Sequence, residues 1–125
     1  MPDSQAATLD PAVHSVHRIE VGMKTGMLDS AGDGVRNRIA DDLGIRVDSV
    51  QVIDVYTVHA DLSPEELELV RRELFTDPVI QDSTLDAPLA SGFDFLIEVG
   101  FRPGVTDNIG KSSASGIADT IGRAL

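Results

Sequence analysis

Residues 19–44 read IEVGMKTGMLDSAGDGVRNRIADDLG and residues 97–122 read IEVGFRPGVTDNIGKSSASGIADTIG, a constant offset of 78 with eleven of 26 positions identical. Ile-Glu-Val-Gly opens each stretch; Gly26 and Gly104, Asp29 and Asp107, and Gly32 and Gly110 follow in step; Ile-Ala-Asp and a final Gly close both. A repeat of this kind is one supersecondary unit used twice, so it governs the reading of everything around it. Each copy begins with apolar residues at alternate positions, Ile19, Val21, Met23 and Ile97, Val99, Phe101. That period of two predicts a strand with one buried face in each copy. Gly26 and Gly104 then predict turns, and Asp29 and Asp107, three residues further on, stand where a helix N-cap accepts backbone N–H groups. In the first copy Val35, Ile39 and Leu43 recur every four residues, predicting the buried stripe of a helix that Gly44 ends in a left-handed conformation. The second copy keeps Ile117 and Ile121, but Ser112, Ser113, Ser115 and Gly116 weaken its helix and predict fraying.

Between the copies, the run QVIDVYTV at 51–58 is rich in β-branched residues on both faces. It predicts a long strand within 50–60, buried on two sides or bent at Asp54. Ser63-Pro64-Glu65-Glu66 is a helix start: Ser as N-cap, Pro at the first helical position, acids at the positive dipole end and Glu66 closing a capping box. Leu67, Val70 and Leu74 form the stripe of that helix. Asp77-Pro78 stops it, and Val79-Ile80 with the polar residues up to Asp86 predict a short edge strand. The order β-α-β-α-β followed by β-α predicts an α+β fold, an antiparallel sheet with helices on one face. Residues 1–15 read as an N-terminal arm, 16–90 as one whole module, and 91–125 as the first half of a second module. A complete second copy would need a further strand, helix and strand, so the chain reads as a piece of a longer one.

At 125 residues, with 42% hydrophobic and 25% charged residues, the chain suits one soluble domain. Ten basic against 21 acidic residues give a net charge of −11, a surface that repels phosphate backbones and anionic lipids, so nucleic acid and membrane are not expected partners. The absence of Cys removes disulfides, thiolate catalysis and cysteine metal sites, and fits a reducing cytoplasm. The first residues carry Asp3 and Asp10 without a basic region or a long apolar stretch, unlike a signal peptide.

Lys24-x-Gly26-x-x-Asp29-x-x-Gly32 after a strand, a helix ending in Leu43-Gly44, and Phe75-Thr-Asp-Pro-Val-Ile-Gln-Asp82 together resemble the PurS family over about 16–86. Arg102, Gly104, Asp107 and Gly110 repeat the first half, with Arg in place of Lys. The resemblance implies a part in phosphoribosylformylglycinamidine synthase, the purine-pathway ligase that transfers glutamine-derived ammonia to formylglycinamide ribonucleotide. PurS does none of that chemistry in the family; it bridges the glutaminase subunit and the synthetase, on the same or a separate chain. No cofactor is then expected in this chain, and ATP, magnesium and glutamine are implied for the full enzyme only. The family commonly carries Gly-Lys in the second strand where this chain has Ile53-Asp54, which puts any contact through that lysine in doubt.

No residue is singled out as catalytic, cofactor-binding or metal-binding. His14 and His17 read as solvated, since a lone pair without Cys is a poor site. Asp29 to Gly34 has Ala31 where a calcium loop requires an oxygen ligand, and Gly32 and Gly34 open a dinucleotide pattern that fails at Asn37. Capping accounts for Ser63. The acids Glu65, Glu66, Glu68, Asp41 and Asp42 read as solvated helix faces. The candidate contact for an anion or a partner is a basic side chain beside a permissive turn, Lys24 with Gly26 and Arg102 with Gly104; glycine there also serves turn geometry alone. A chain stopping inside its second module leaves an unpaired edge, and a homodimer is a further expectation. The rival reading, from a different class, is a regulatory module that binds a small ligand between paired sheets.

Overall fold

The computed structural model describes residues 15–101 and 107–125; apart from Ser15, the expected arm lies outside them. Strand β1 is Val16–Met23, helix α1 Ser30–Leu43, β2 Asp54–His59 and α2 Pro64–Leu69, which runs directly into a π-helical segment, Val70–Phe75; β3 is Gln81–Leu85 and α3 Asn108–Ile121. Among the described residues the sheet has three strands in the order β2-β1-β3. Both neighbours run antiparallel to β1, and Ile19 sits opposite Tyr56 on one side and Leu85 on the other. These cross-strand partners share a face, which carries Ile19, Val21, Tyr56 and Val58 into the core with Leu67 and Val70 from the helical layer. Tyr56 and Phe75, partly buried, pack against that core with ring centroids 4.3 Å apart. The chain is α+β, with α2, the π-helical segment and α3 layered on one face of the sheet.

The local signals of the sequence act as their chemistry requires. Asp29 accepts Gly32 N–H at 2.8 Å as the cap of α1, and Gly44 ends that helix at φ 66° with its N–H on the Ala40 carbonyl. Ser63 Oγ accepts Glu66 N–H at 3.1 Å while Glu66 returns the bond to Ser63 N–H at 2.9 Å, a complete capping box. Asp107 and Gly122 bracket α3 with almost the same dihedral angles as Asp29 and Gly44, and both helices have 14 residues. The fraying expected of the second helix is therefore not seen in its length. Ile117, 4% exposed, belongs to the core, and Gly116 lets Leu74 approach to 3.1 Å of the position a Cβ would take. Packing of this face outweighs the weak propensity of its serines.

Four further expectations need correction. The long strand at 50–60 is ordered as a ladder only from Asp54; Val52 N–H is drawn to Asp29 Oδ2 at 3.0 Å, away from the sheet. Beyond Asp54 the strand alternates, Val58 buried and Val55, Thr57 and His59 exposed, as an edge strand with one covered face should. The edge strand expected to begin at Val79-Ile80 begins at Gln81, because both residues lie in a turn closed by Gln81 N–H on the Asp77 carbonyl. The stripe of α1 stays solvated, with Val35 and Leu43 exposed, since the helical face of the sheet is occupied by α2, the π-helical segment and α3. Finally, the strand expected at Ile97–Phe101 joins no ladder and its apolar side chains are exposed. A strand needs a neighbour for its N–H and C=O groups, and the place between β2 and β3 is held by β1, the twin of this stretch.

The opposite face of β1 is also covered. Glu20 accepts Leu89 N–H at 3.0 Å and Arg18 Nε–H at 2.8 Å, and the Leu89 side chain lies 3.1 Å from where a Cβ on Gly22 would be. Among the described residues no helix is long and apolar enough to cross a membrane.

The two glycines early in α1 should respond oppositely to Ala. Gly34 has open space around it, and Gly34→Ala should stabilise by about 0.5–1 kcal/mol in urea unfolding. At Gly32 an added Cβ would meet the Val50 carbonyl oxygen, so Gly32→Ala should cost about 1–3 kcal/mol. The clamp between the end of α3 and the start of α2 gives a pH test. Arg123 donates to Glu66 at 2.8 and 3.0 Å and to the Asp61 carbonyl at 2.9 Å. With the Ser63 N–H, it holds the Glu66 carboxyl down at about 2, against an ordinary 4.5. Because the folded value is the lower one, this contribution is complete above pH 4.5 and is lost as pH falls from there towards about 2. A carboxyl-detected titration should place Glu66 near 2 in the wild type and move it towards 4.5 in Arg123→Ala; an unmoved value would show that the clamp is not the cause.

Candidate functional site

The two stretches that carry the family resemblance meet in space. Lys24 N–H donates to the Ile80 carbonyl at 2.8 Å, binding the turn after β1 to the loop before β3. Met27 N–H returns to the Lys24 carbonyl at 2.9 Å, and Gly26 at φ 88° fills the position of this turn that requires a left-handed residue. The Lys24 ammonium reaches Asp82 at 3.3 Å.

The facing wall comes from the π-helical segment. Thr76 Oγ1 donates to the Arg71 carbonyl at 2.6 Å, satisfying a group that the widened, ending helix leaves open. The hydroxyls of Thr76 and Ser83 are 2.6 Å apart, and Arg71 Nη1 donates to Ser83 Oγ at 2.8 Å, which joins the helix end to β3. Arg71 also grips both oxygens of Glu68, and that guanidinium lowers the Glu68 carboxyl below its ordinary range. Between the walls lies a cleft of about 210 Å³, lined by Lys24, Arg71, Arg72, Thr76 and Ser83, with Pro78, Gln81 and Asp82 completing it.

The electrostatics decide what the cleft can do. Lys24 is paired with Asp82 and Arg71 with Glu68, so two of its three cations carry their own counter-charges. What remains is a nearly neutral surface of amide, hydroxyl and guanidinium groups with one more exposed cation, Arg72. Such a surface suits a polar protein contact better than a multiply charged phosphate.

Of the expected contact residues, Lys24 lines this cleft and Gly26 shapes the turn beside it; Arg102 and Gly104 lie outside the described residues. Sequence reasoning missed Arg71, Arg72 and Ser83. No local pattern announces them, because their meeting depends on the π-helical widening and on the register of β3. The remaining polar candidates have structural occupations. Both oxygens of Asp29 are taken, by Gly32 and Val52 N–H, and His17 Nδ1 contacts Asp86 at 2.7 Å. Asp86, at φ 56°, also accepts Arg18 N–H at 2.8 Å; His17 first, then that N–H, lowers its carboxyl.

The family model for PurS, described as phosphoribosylformylglycinamidine (FGAM) synthase, matches residues 16–88. Among solved structures, MTH169, the PurS subunit of FGAM synthetase, is 28% identical with a TM-score of 0.51, over 56% of this chain and 88% of that one. PurS of B. subtilis is 18% identical with a TM-score of 0.51, over 56% of this chain and 92% of that one, a likeness of fold. No curated protein sequence matches the chain.

The hydroxyl network can be tested directly. Thr76→Val should lower stability by about 1 kcal/mol in urea unfolding, and Thr76→Ser should retain most of it. Equal losses in the two variants would mean that the methyl group, and not the hydroxyl, supports the turn.

Proposed function

We propose, starting from the fact that the chain belongs to the PurS family of phosphoribosylformylglycinamidine synthase, that it is a non-catalytic assembly domain of that ligase in de novo purine biosynthesis. In this reading it couples the glutaminase subunit to the ATP-dependent synthetase part, whether the latter lies on the same or a separate chain. The observation that carries the proposal is the family match over 16–88, which spans the whole three-stranded sheet and its connecting helices. Supporting it, the polar groups that sequence reading weighed for chemistry serve structure: Ser63 and Asp29 cap helices, and Glu66 is clamped by Arg123. The ATP, magnesium and glutamine of the reaction then belong to the partner parts, and the complex to the cytoplasm.

The cleft at Lys24 and Arg72 supplies the contact surface in this proposal. Its paired charges and its hydroxyls offer directional hydrogen bonds without a large unpaired charge to desolvate. Arg102 and Gly104 of the half copy are assigned a like contact, on the repeat alone.

Reconstitution tests the role. Mixed with a PurS-dependent glutaminase and synthetase, the chain should co-elute with them and restore glutamine-dependent formation of formylglycinamidine ribonucleotide, leaving ammonia-dependent turnover by the synthetase nearly unchanged. Lys24→Glu/Arg72→Glu should weaken the complex at least about tenfold with an unchanged circular dichroism spectrum. A chain that neither co-elutes nor alters the glutamine-dependent rate would overturn the assembly role. Stoichiometric binding of a purine nucleotide in calorimetry would favour a regulatory module instead.

A further inference from the structure

Both hydroxyl hydrogens of the cleft beside Lys24 are committed within the fold. The Arg71 carbonyl can only accept, so the Thr76 hydroxyl donates to it at 2.6 Å. With that hydrogen engaged, the Ser83 hydroxyl donates across the 2.6 Å to Thr76 Oγ1, and its own oxygen accepts Arg71 Nη1–H at 2.8 Å. The Gln81 side-chain oxygen accepts Asp77 N–H at 2.8 Å.

What the cleft still offers a ligand is a set of N–H groups. The Lys24 ammonium places one of its three hydrogens on Asp82 at 3.3 Å. Arg71 uses Nε and Nη2 on Glu68 and Nη1 on Ser83, which leaves one hydrogen over on each terminal nitrogen. The Gln81 amide keeps both of its hydrogens. Arg72 makes no hydrogen bond or ion pair among the described residues and acts on Glu68 only through space, as the last of the causes that lower that carboxyl.

Charge agrees with the donors. Lys24, Arg71 and Arg72 line the cleft, and the two carboxylates that pair with them are Asp82 and Glu68. One positive charge, that of Arg72, is left uncompensated in a chain that carries −11. Two exposed acids, Glu73 and Asp77, directly follow Arg72 and Thr76 in sequence.

We propose that this cleft is the receptor for one aspartate or glutamate side chain of the partner subunit, presented among basic or neutral neighbours. This rests on the assembly reading for the identity of the partner and adds the chemistry by which it is held. A carboxylate brings acceptors only, and its two oxygens match the planar fork of Arg72. Its single charge balances the single unpaired cation. A phosphate dianion would bring a second negative charge towards Asp82, and a neutral carbonyl would leave Arg72 desolvated without a counter-charge. The acids beside the cleft and the field of the whole chain repel a second carboxylate, which is why the neighbours are basic or neutral. At about 210 Å³ the cleft is smaller than the roughly 300–1,000 Å³ of pockets that take small molecules, and it suits an inserted side chain.

NMR titration of the chain tests the cleft directly. The probe is the end-blocked peptide Lys-Lys-Glu-Lys-Lys, compared with Lys-Lys-Gln-Lys-Lys and with inorganic phosphate. At the amides of Lys24, Gln81 and Ser83 and the guanidinium of Arg72, the Glu peptide should bind at least about threefold tighter than the Gln peptide. Acids elsewhere on the surface should favour the Gln peptide, the more positive of the two. Arg72→Gln should abolish the preference for Glu and Arg72→Lys should keep part of it. Arg46→Gln, the same charge change at an exposed arginine that does not line the cleft, should behave like the wild type. With the glutaminase and synthetase, Arg72→Gln should weaken the complex at least about tenfold and Arg46→Gln should not. Equal binding of the two peptides at the cleft, a stronger response there to phosphate, or an Arg72→Gln chain that holds its partners as tightly as the wild type would each overturn the carboxylate receptor and leave the bridging role standing. A cleft selective for Glu in a chain that fails to join the partner subunits would support the receptor and count against the bridging role alone.

Discussion

β1 must be covered on four sides, and the rest of the molecule follows from how that is done. Its two edges are satisfied by β2 and β3, both antiparallel. One face is covered by Val70, Leu67 and Ile117 from the helical layer. The other carries Glu20, a carboxylate that is 9% exposed and would be costly if unpaired. The chain beyond β3 answers this by turning back at Asp86, bringing Leu89 N–H to Glu20 and its side chain over Gly22. That N–H is the largest cause of the lowered Glu20 carboxyl, with Arg18 adding to it. β1 thus fills the central place between β2 and β3, and the second stretch beginning Ile-Glu-Val-Gly lies exposed outside that place.

The helices show how tertiary fit separates two near-copies. α1 and α3 have equal lengths and matching caps, and Ile39 and Leu43 correspond to Ile117 and Ile121 at the offset of 78. Only α3 is packed into the core. The position of Gly116, against Leu74, is held in α1 by Arg38, whose side chain would have to displace that leucine. Arg123, just beyond α3, ties the docked helix to the capping box of α2. A glycine and an arginine thus distinguish helices that share two apolar positions, Ile39 and Leu43 against Ile117 and Ile121.

The candidate site lies at the same boundary between local and global causes. Lys24 and Gly26 were legible as a basic residue beside a turn, because a glycine with positive φ has its reason within four residues. Arg71, Arg72 and Ser83 were not, since the π-helical widening arises where α2 runs into the end of the helical layer and Thr76 caps the Arg71 carbonyl. Paired charges were equally hidden: the distance from Lys24 to Asp82 depends on the register of β3 against β1, and that pairing is what turns a basic cleft into a nearly neutral one.

The sequence alone determined the caps at Asp29, Ser63 and Asp107, the stops at Gly44 and Gly122, the strand character of β1, and the α+β order that follows. The caps and stops close their hydrogen bonds within three or four residues, so spacing suffices to specify them, and β1 shows in its period of two although its ladder partners lie far along the chain. Tertiary structure alone decided which hydrophobic stripes are buried. Ile19 and Ile97 have the same local sequence and opposite exposure, as do Leu43 and Ile121 in lesser degree, because burial depends on a neighbour supplied from far along the chain. β1 receives two strands and two covered faces, and its copy lies exposed with Glu98 on the Arg18 side chain.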